Sequence, residues 1–131
     1  NPDLYYNLGV VSTKNNEKEE ALIYYTKAIE LNPDYIEALI NKAQLILDGE
    51  SAIVEEMNAL GTSNADYDKY DLLKKKKNDI YREALPYLES ASKLRPESLD
   101  IVRTLIGIYV MLGMDEEENA MKVMMENNKG E

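Results

Sequence analysis

Small and large apolar residues recur along this chain at helical intervals, and twice they do so in the same order. Glu20 to Tyr35 reads EALIYYTKAIELNPDY, and Glu83 to Ser98 reads EALPYLESASKLRPES. Seven positions are identical at a constant offset of 63: Glu20/Glu83, Ala21/Ala84, Leu22/Leu85, Tyr24/Tyr87, Ala28/Ala91, Leu31/Leu94 and Pro33/Pro96. In each copy two alanines stand seven apart, with a large residue, Tyr25 or Leu88, four places after the first. That spacing puts all three on one stripe of a helix. It predicts a helix that a neighbour approaches closely at the alanines and that is keyed by the large residue. The proline five residues past the second alanine lies beyond the helix end.

The remaining elements follow from the same periodicity. Asp3 is expected to cap a first helix whose Tyr5, Leu8, Gly9 and Ser12 fall at helical spacing. Lys14-Asn15-Asn16 makes a turn, and Asn16 is expected to cap the helix Glu17 to Leu31. Asp34 is expected to cap the next helix from Ile36, with Leu39, Ala43 and Ile46 packing and Gly49 at its end. Its partner helix should begin near residue 52, yet the matching copy arrives only at Ala84. The first helical pair, Pro2 to Tyr35, is 34 residues long, so the offset of 63 leaves 29 extra residues, roughly Glu50 to Asn78. Ile53, Val54, Met57 and Leu60 predict a short amphipathic helix there. Gly61 to Asn64 predicts a break, and Tyr67, Tyr70, Leu73, Ile80, Tyr81 and Leu85 predict a long helix from about Asp66 to Leu94. Pro86 falls inside it and predicts a kink. Ser98 is expected to cap a helix packing through Val102, Leu105, Ile106 and Tyr109, which ends at Gly113. Asp115 to Glu118 opens the last helix, where acids suit the positive end. Met121, Met124 and Met125 are its apolar residues, and the polar tail Asn127 to Glu131 is expected to fray.

Pro2 to Tyr35 resembles a tetratricopeptide repeat of bacterial type. Tyr5 stands at the family's first aromatic position, and Leu8 and Gly9 are its Leu-Gly pair. Ala21, Tyr25 and Ala28 are its second-helix Ala, aromatic, Ala, and Pro33 is its closing proline. Ser12 replaces the usual Tyr. The resemblance implies an all-α fold, an α-solenoid of helix-turn-helix repeats in a right-handed superhelical stack. Residues 1–131 then form a single domain: repeat one at 2–35, repeat two at 36–98 with the helical insertion at about 50–78, and repeat three at 99–131. Lys42 stands where the family prefers Leu and is expected to snorkel past the helix edge. Glu118 stands where the family has Ala, and Ala120 comes two residues late, so the last helix is atypical and capping-like.

The resemblance also implies a binding surface. In this family the first helices of the repeats line a concave side that takes peptides or partner helices. Its inward positions are here Asp3, Tyr6, Asn7, Val10, Thr13 and Lys14 in repeat one. They are Glu37, Ile40, Asn41, Gln44, Leu47 and Asp48 in repeat two, and Asp100, Arg103, Thr104, Gly107, Val110 and Met111 in repeat three. The candidate groove is therefore Tyr6, Asn7, Val10, Ile40, Asn41, Gln44, Leu47, Arg103 and Val110. It joins an apolar floor to amides able to hold a peptide backbone. The family's clamp for a C-terminal carboxylate is not retained. Asn41 matches its middle place, but Tyr6 and Val10 replace its first pair, and Asp100 and Thr104 its last. The 29 extra residues are expected either to cover part of this floor or to extend it.

Composition narrows the chemistry. Twenty-five acids against fifteen bases leave a net charge of −10, which argues against a phosphate-backbone partner. The run Lys74 to Lys77 covers all faces of a helix among acids and reads as a solvated surface. There is no cysteine and no histidine, so no disulfide frame and neither the commonest general base nor the commonest metal ligand. Acidic pairs such as Glu55-Glu56 read as solvated helix surface, and no phosphate loop, dinucleotide fingerprint or nucleophile elbow occurs. The chain is read as not an enzyme, with no cofactor. Its partner is a protein or peptide, with self-association possible and no membrane insertion. The alternative is a structural segment of a longer solenoid, whose surfaces serve stacking. The opening Asn1-Pro2-Asp3, close to Asn32-Pro33-Asp34, reads as the start of a fragment. That leaves the compartment open, cytoplasmic or periplasmic and cell envelope. The lysine-, asparagine- and glutamate-rich composition points to a bacterial source.

Overall fold

The computed structural model describes residues 1–129. Seven helices follow one another: α1 Pro2–Lys14, α2 Lys18–Leu31, α3 Ile36–Leu47, α4 Glu50–Asn58, α5 Asn64–Leu94, α6 Leu99–Leu112 and α7 Asp115–Lys129. No strand occurs among the described residues. The helices pack as α1 on α2, α3 on α5, and α6 on α7, with α2 against α3 and α5 against α6 joining the pairs. The result is an all-α solenoid, with α4 packed on α5 at its side.

The alanine stripe explains this stacking. Ala21, Ala28, Ala84 and Ala91 are fully buried, and Tyr25 and Leu88, the large residues between them, are buried too. Ala38 and Ala43 on α3 are equally inaccessible. Missing side-chain bulk lets the axes approach, and the large residues fill the space beside them. Leu39, Ala43 and Ile46 meet Tyr81, Ala84, Leu85 and Leu88, which in turn meet Ile101, Leu105 and Tyr109. Ala21, Tyr25 and Ala28 meet Ala38 and Leu45 in the layer before it. Lys42 is half-buried. Its ammonium donates to Thr26 Oγ1 at 2.7 Å and lies 4.4 Å from the centre of the Tyr87 ring. The charge is thereby held at the helix edge by a hydroxyl and a π face.

Several helix ends differ from expectation. Asn1, not Asp3, caps α1: its Oδ1 accepts from the Asp3 N–H at 2.9 Å, and Pro2 takes the first helical position. Asn16 does not cap α2. It adopts a left-handed φ of 60° that turns the chain, and Glu17 precedes the helix without a side-chain cap. Asp34 does not cap α3 either, because Tyr35 holds that place. Ser63 and Ser98 do cap, accepting from Asp66 and Ile101, and Gly113 ends α6 with a left-handed φ of 70°. Leu8 is 36% exposed rather than packed, in line with Leu4 at 55% and Val11 at 54%. Asn127 to Lys129 are helical, not frayed, and Asn128 donates to the Pro96 carbonyl. The rest of the expected frayed tail, Gly130 and Glu131, lies outside the described residues.

Candidate functional site

Tyr25 organises the first concave depression. Its ring fills the place that a side chain on residue 9 would need: a Cβ on Gly9 would lie 2.6 Å from Tyr25 Cε1. The ring packs against α1 at Gly9, and its hydroxyl lies between α1 and α3, bonded to a residue of each. Thr13 Oγ1 donates to the Gly9 carbonyl at 2.8 Å, which uses its only proton. The Tyr25 hydroxyl then donates to Thr13 Oγ1 at 3.2 Å and accepts from Asn41 Nδ2 at 3.3 Å. Around this chain lies a cavity of about 230 Å³, with Val10 and Leu45 as apolar walls and Gln44, Asp48 and Lys14 at its mouth. Gln44 Nε2 donates to Asp48 Oδ1 at 2.9 Å.

A second depression, about 460 Å³, lies where α6 meets α3 and α5. Leu47, Ile108, Val110 and Met111 line it, with Gly107 leaving its floor open. Tyr81 and Glu50 close one side, the Tyr81 hydroxyl donating to the Glu50 carboxylate. Burial, and then that carboxylate, push the Tyr81 hydroxyl well above its ordinary range.

Five of the sequence-derived groove residues line these depressions: Val10, Asn41 and Gln44 the first, Leu47 and Val110 the second. Tyr6 sits beside the first, its ring 6.0 Å from that of Tyr25 and 5.1 Å from that of Tyr35. Asn7 is exposed on the same helix. Ile40 is half-buried and packs against the core, outside the lining of either depression. Arg103 lines neither cavity and pairs with Asp100 at 3.9 Å. Tyr81 and Glu50 were missed, because no inward repeat position falls on either. The only signal was that Tyr81 continues the apolar period of α5 into the matching copy.

The Tetratricopeptide repeat profile matches residues 2–35, the segment that builds the Gly9–Tyr25 contact. Residues 2–35 are a tetratricopeptide repeat. The chain is similar to the Photosystem I assembly protein Ycf3 of Cuscuta gronovii, at 40% identity over 60 residues. The match covers 40% of this chain and 36% of that protein. The Ycf3 of Acaryochloris marina is 38% identical over 50 residues, covering 37% of this chain and 30% of its own length. An uncharacterized protein of Methanocaldococcus jannaschii is 49% identical over 41 residues, covering 31% of this chain and 48% of its own length. The chain thus spans less than half the length of these relatives. Among solved structures, MamA 41-end from Desulfovibrio magneticus RS-1 aligns with 99% of this chain and 75% of its own, at 16% identity and a TM-score of 0.39. No described helix is long and apolar enough to cross a membrane. No group of three or more metal-ligating side chains occurs among the described residues.

Proposed function

We propose that this chain is a non-catalytic protein-interaction scaffold that holds an extended peptide or a partner segment along its concave side. The observation that carries the reading is the pair of depressions on either side of α3. Each joins apolar walls to a few fixed polar groups, which is the make-up of a recognition site. Asn41 and Gln44 supply amides for a peptide backbone. Val10 on one side, and Leu47 with Val110 on the other, receive its apolar side chains. In this reading repeat two runs from α3 to the second half of α5, and α4 with the first half of α5 is an insertion that leaves the groove open. A part in assembly, the role in the name of the Photosystem I assembly protein Ycf3, fits the same surface.

The test is a peptide array probed with the protein, followed by titration of the best binders. Gln44→Arg and Val110→Asp change exposed side chains and leave the core alone. Their combination should weaken binding at least about tenfold, or 1.4 kcal/mol, with unchanged helicity. Unchanged affinity would remove the concave side from consideration.

A second reading has its own observation. Leu4, Leu8 and Val11 form an exposed apolar stripe on α1, at helical spacing. Such a face serves stacking on a further helix or on a second copy. Light scattering should then show self-association that Leu4→Glu with Val11→Glu abolishes. A monomer at all concentrations would speak against pairing of copies.

A further inference from the structure

Outside the concave side, the most distinctive surface is the hairpin of α4 and the first half of α5. Of residues 64–79 only Leu73 is buried. Leu72 is 56% exposed, and it stands over a groove of about 380 Å³ between the two helices, floored by Ala59, Leu60 and Leu73. Lys69 and Lys76 stand at its edge, two helical turns apart, which is about 10 Å along the axis. Five of the chain's fifteen bases fall within residues 69–77, in a molecule whose net charge is −10. Among the described residues none of these five lysines is in an ion pair. One acid, Glu56, lines the groove.

We propose that this groove docks an acidic amphipathic helix of a partner protein. The spacing sets its pattern. Carboxylates at i and i+7 reach Lys69 and Lys76, while apolar residues at i+3 and i+4 cover Leu60 and Leu72. A second copy of the same groove does not fit, because a two-fold axis would set Lys69 of one copy against Lys76 of the other. A nucleic-acid backbone fits less well. Asp66, Asp68, Asp71 and Glu56 lie on the same hairpin and repel phosphate, and the apolar floor would stay wet. The site is separate from the concave depressions and does not depend on their being occupied.

The experiment uses the full chain and a dye-labelled peptide of three copies of the heptad Glu-Ala-Ala-Leu-Leu-Ala-Ala, with a counterpart carrying Lys for Glu. Fluorescence anisotropy should show saturable binding of the acidic peptide, weakened by salt, and none of the lysine counterpart. Lys69→Glu with Lys76→Glu, and separately Leu72→Asp, should each weaken it at least about tenfold with an unchanged melting curve. Gln44→Arg with Val110→Asp should leave it unaltered, which separates this site from the concave one. The proposal falls if the acidic peptide does not bind, or if it binds both hairpin variants equally. It falls also if a mixed-sequence RNA oligonucleotide or phosphatidylserine vesicles bind through these lysines and the peptide does not.

Discussion

Two glycines show how one residue type serves opposite purposes. Gly9 is small because Tyr25 occupies the adjacent space, with its hydroxyl anchored at both Thr13 and Asn41. Gly9→Ala should push that ring out of place and cost about 1–3 kcal/mol by chemical denaturation. Gly107 is also helical, but nothing lies within 4 Å of a Cβ built there. Gly107→Ala should instead stabilise by about 0.5–1 kcal/mol, through lower backbone entropy in the unfolded chain. Equal effects from both would mean that space around residue 9 is not the constraint. Ala28→Leu or Ala91→Leu should likewise overpack a crossing and cost about 1–3 kcal/mol, since both alanines are fully buried. An unmoved melting curve would place them outside the contacts described. These small residues were legible in the sequence because helical periodicity reports burial directly. The caps were less so. Asp3, Asn16 and Asp34 all have cap chemistry, but a short polar side chain suits turns as well, and which role it takes depends on where the helix starts.

At the scale of the element, α5 is the unusual one. Its 31 residues span about 47 Å, and it continues through Pro86. The ring lies on the exposed side, as does Arg82 four residues earlier. The carbonyl that loses its donor is therefore open to water, which lowers the cost of the proline. Pro86→Ala restores that hydrogen bond and should raise stability, by up to about 3 kcal/mol. A lower melting temperature would show instead that the proline sets a bend the packing needs. The extent of this helix was readable from Tyr67 onward, because the apolar residues on either side of the polar run Lys74 to Asp79 keep a broadly helical period and no glycine or proline falls in that run. The same period separates Leu73, which falls on it and is buried, from Leu72, which does not and is 56% exposed. The groove beside Leu72 was not readable, because only packing brings α4 against α5.

Across the whole molecule, three tyrosine hydroxyls donate to carboxylates on other elements: Tyr35 to Asp3, Tyr81 to Glu50 and Tyr109 to Glu89. Burial first, then the carboxylate, holds each phenol protonated, raising Tyr35 to about 12 and Tyr81 and Tyr109 further. An unfolded tyrosine ionises near 10, so above that pH the folded chain keeps protons that the unfolded chain loses. These links should contribute fully below about pH 10 and fade as pH rises through their folded values. Urea midpoints should therefore drop steeply from about pH 10 upward, and Tyr81→Phe with Tyr109→Phe should flatten that drop. A profile of the same slope in the double variant would assign the loss to general repulsion in an acidic chain. None of these pairs was visible in the sequence, because each joins residues from different helices or turns that only packing brings together.

One feature has a mechanical reach. The docking hairpin and the stacked core share α5 with no loop between them, so they have no joint at which to swivel independently. A load taken up near Lys69 is transmitted along a single rod to Tyr81 and Leu88, which wall the second depression and the central layer. Whatever grips the tip of that lever is thereby held at a fixed orientation to the stacked helices.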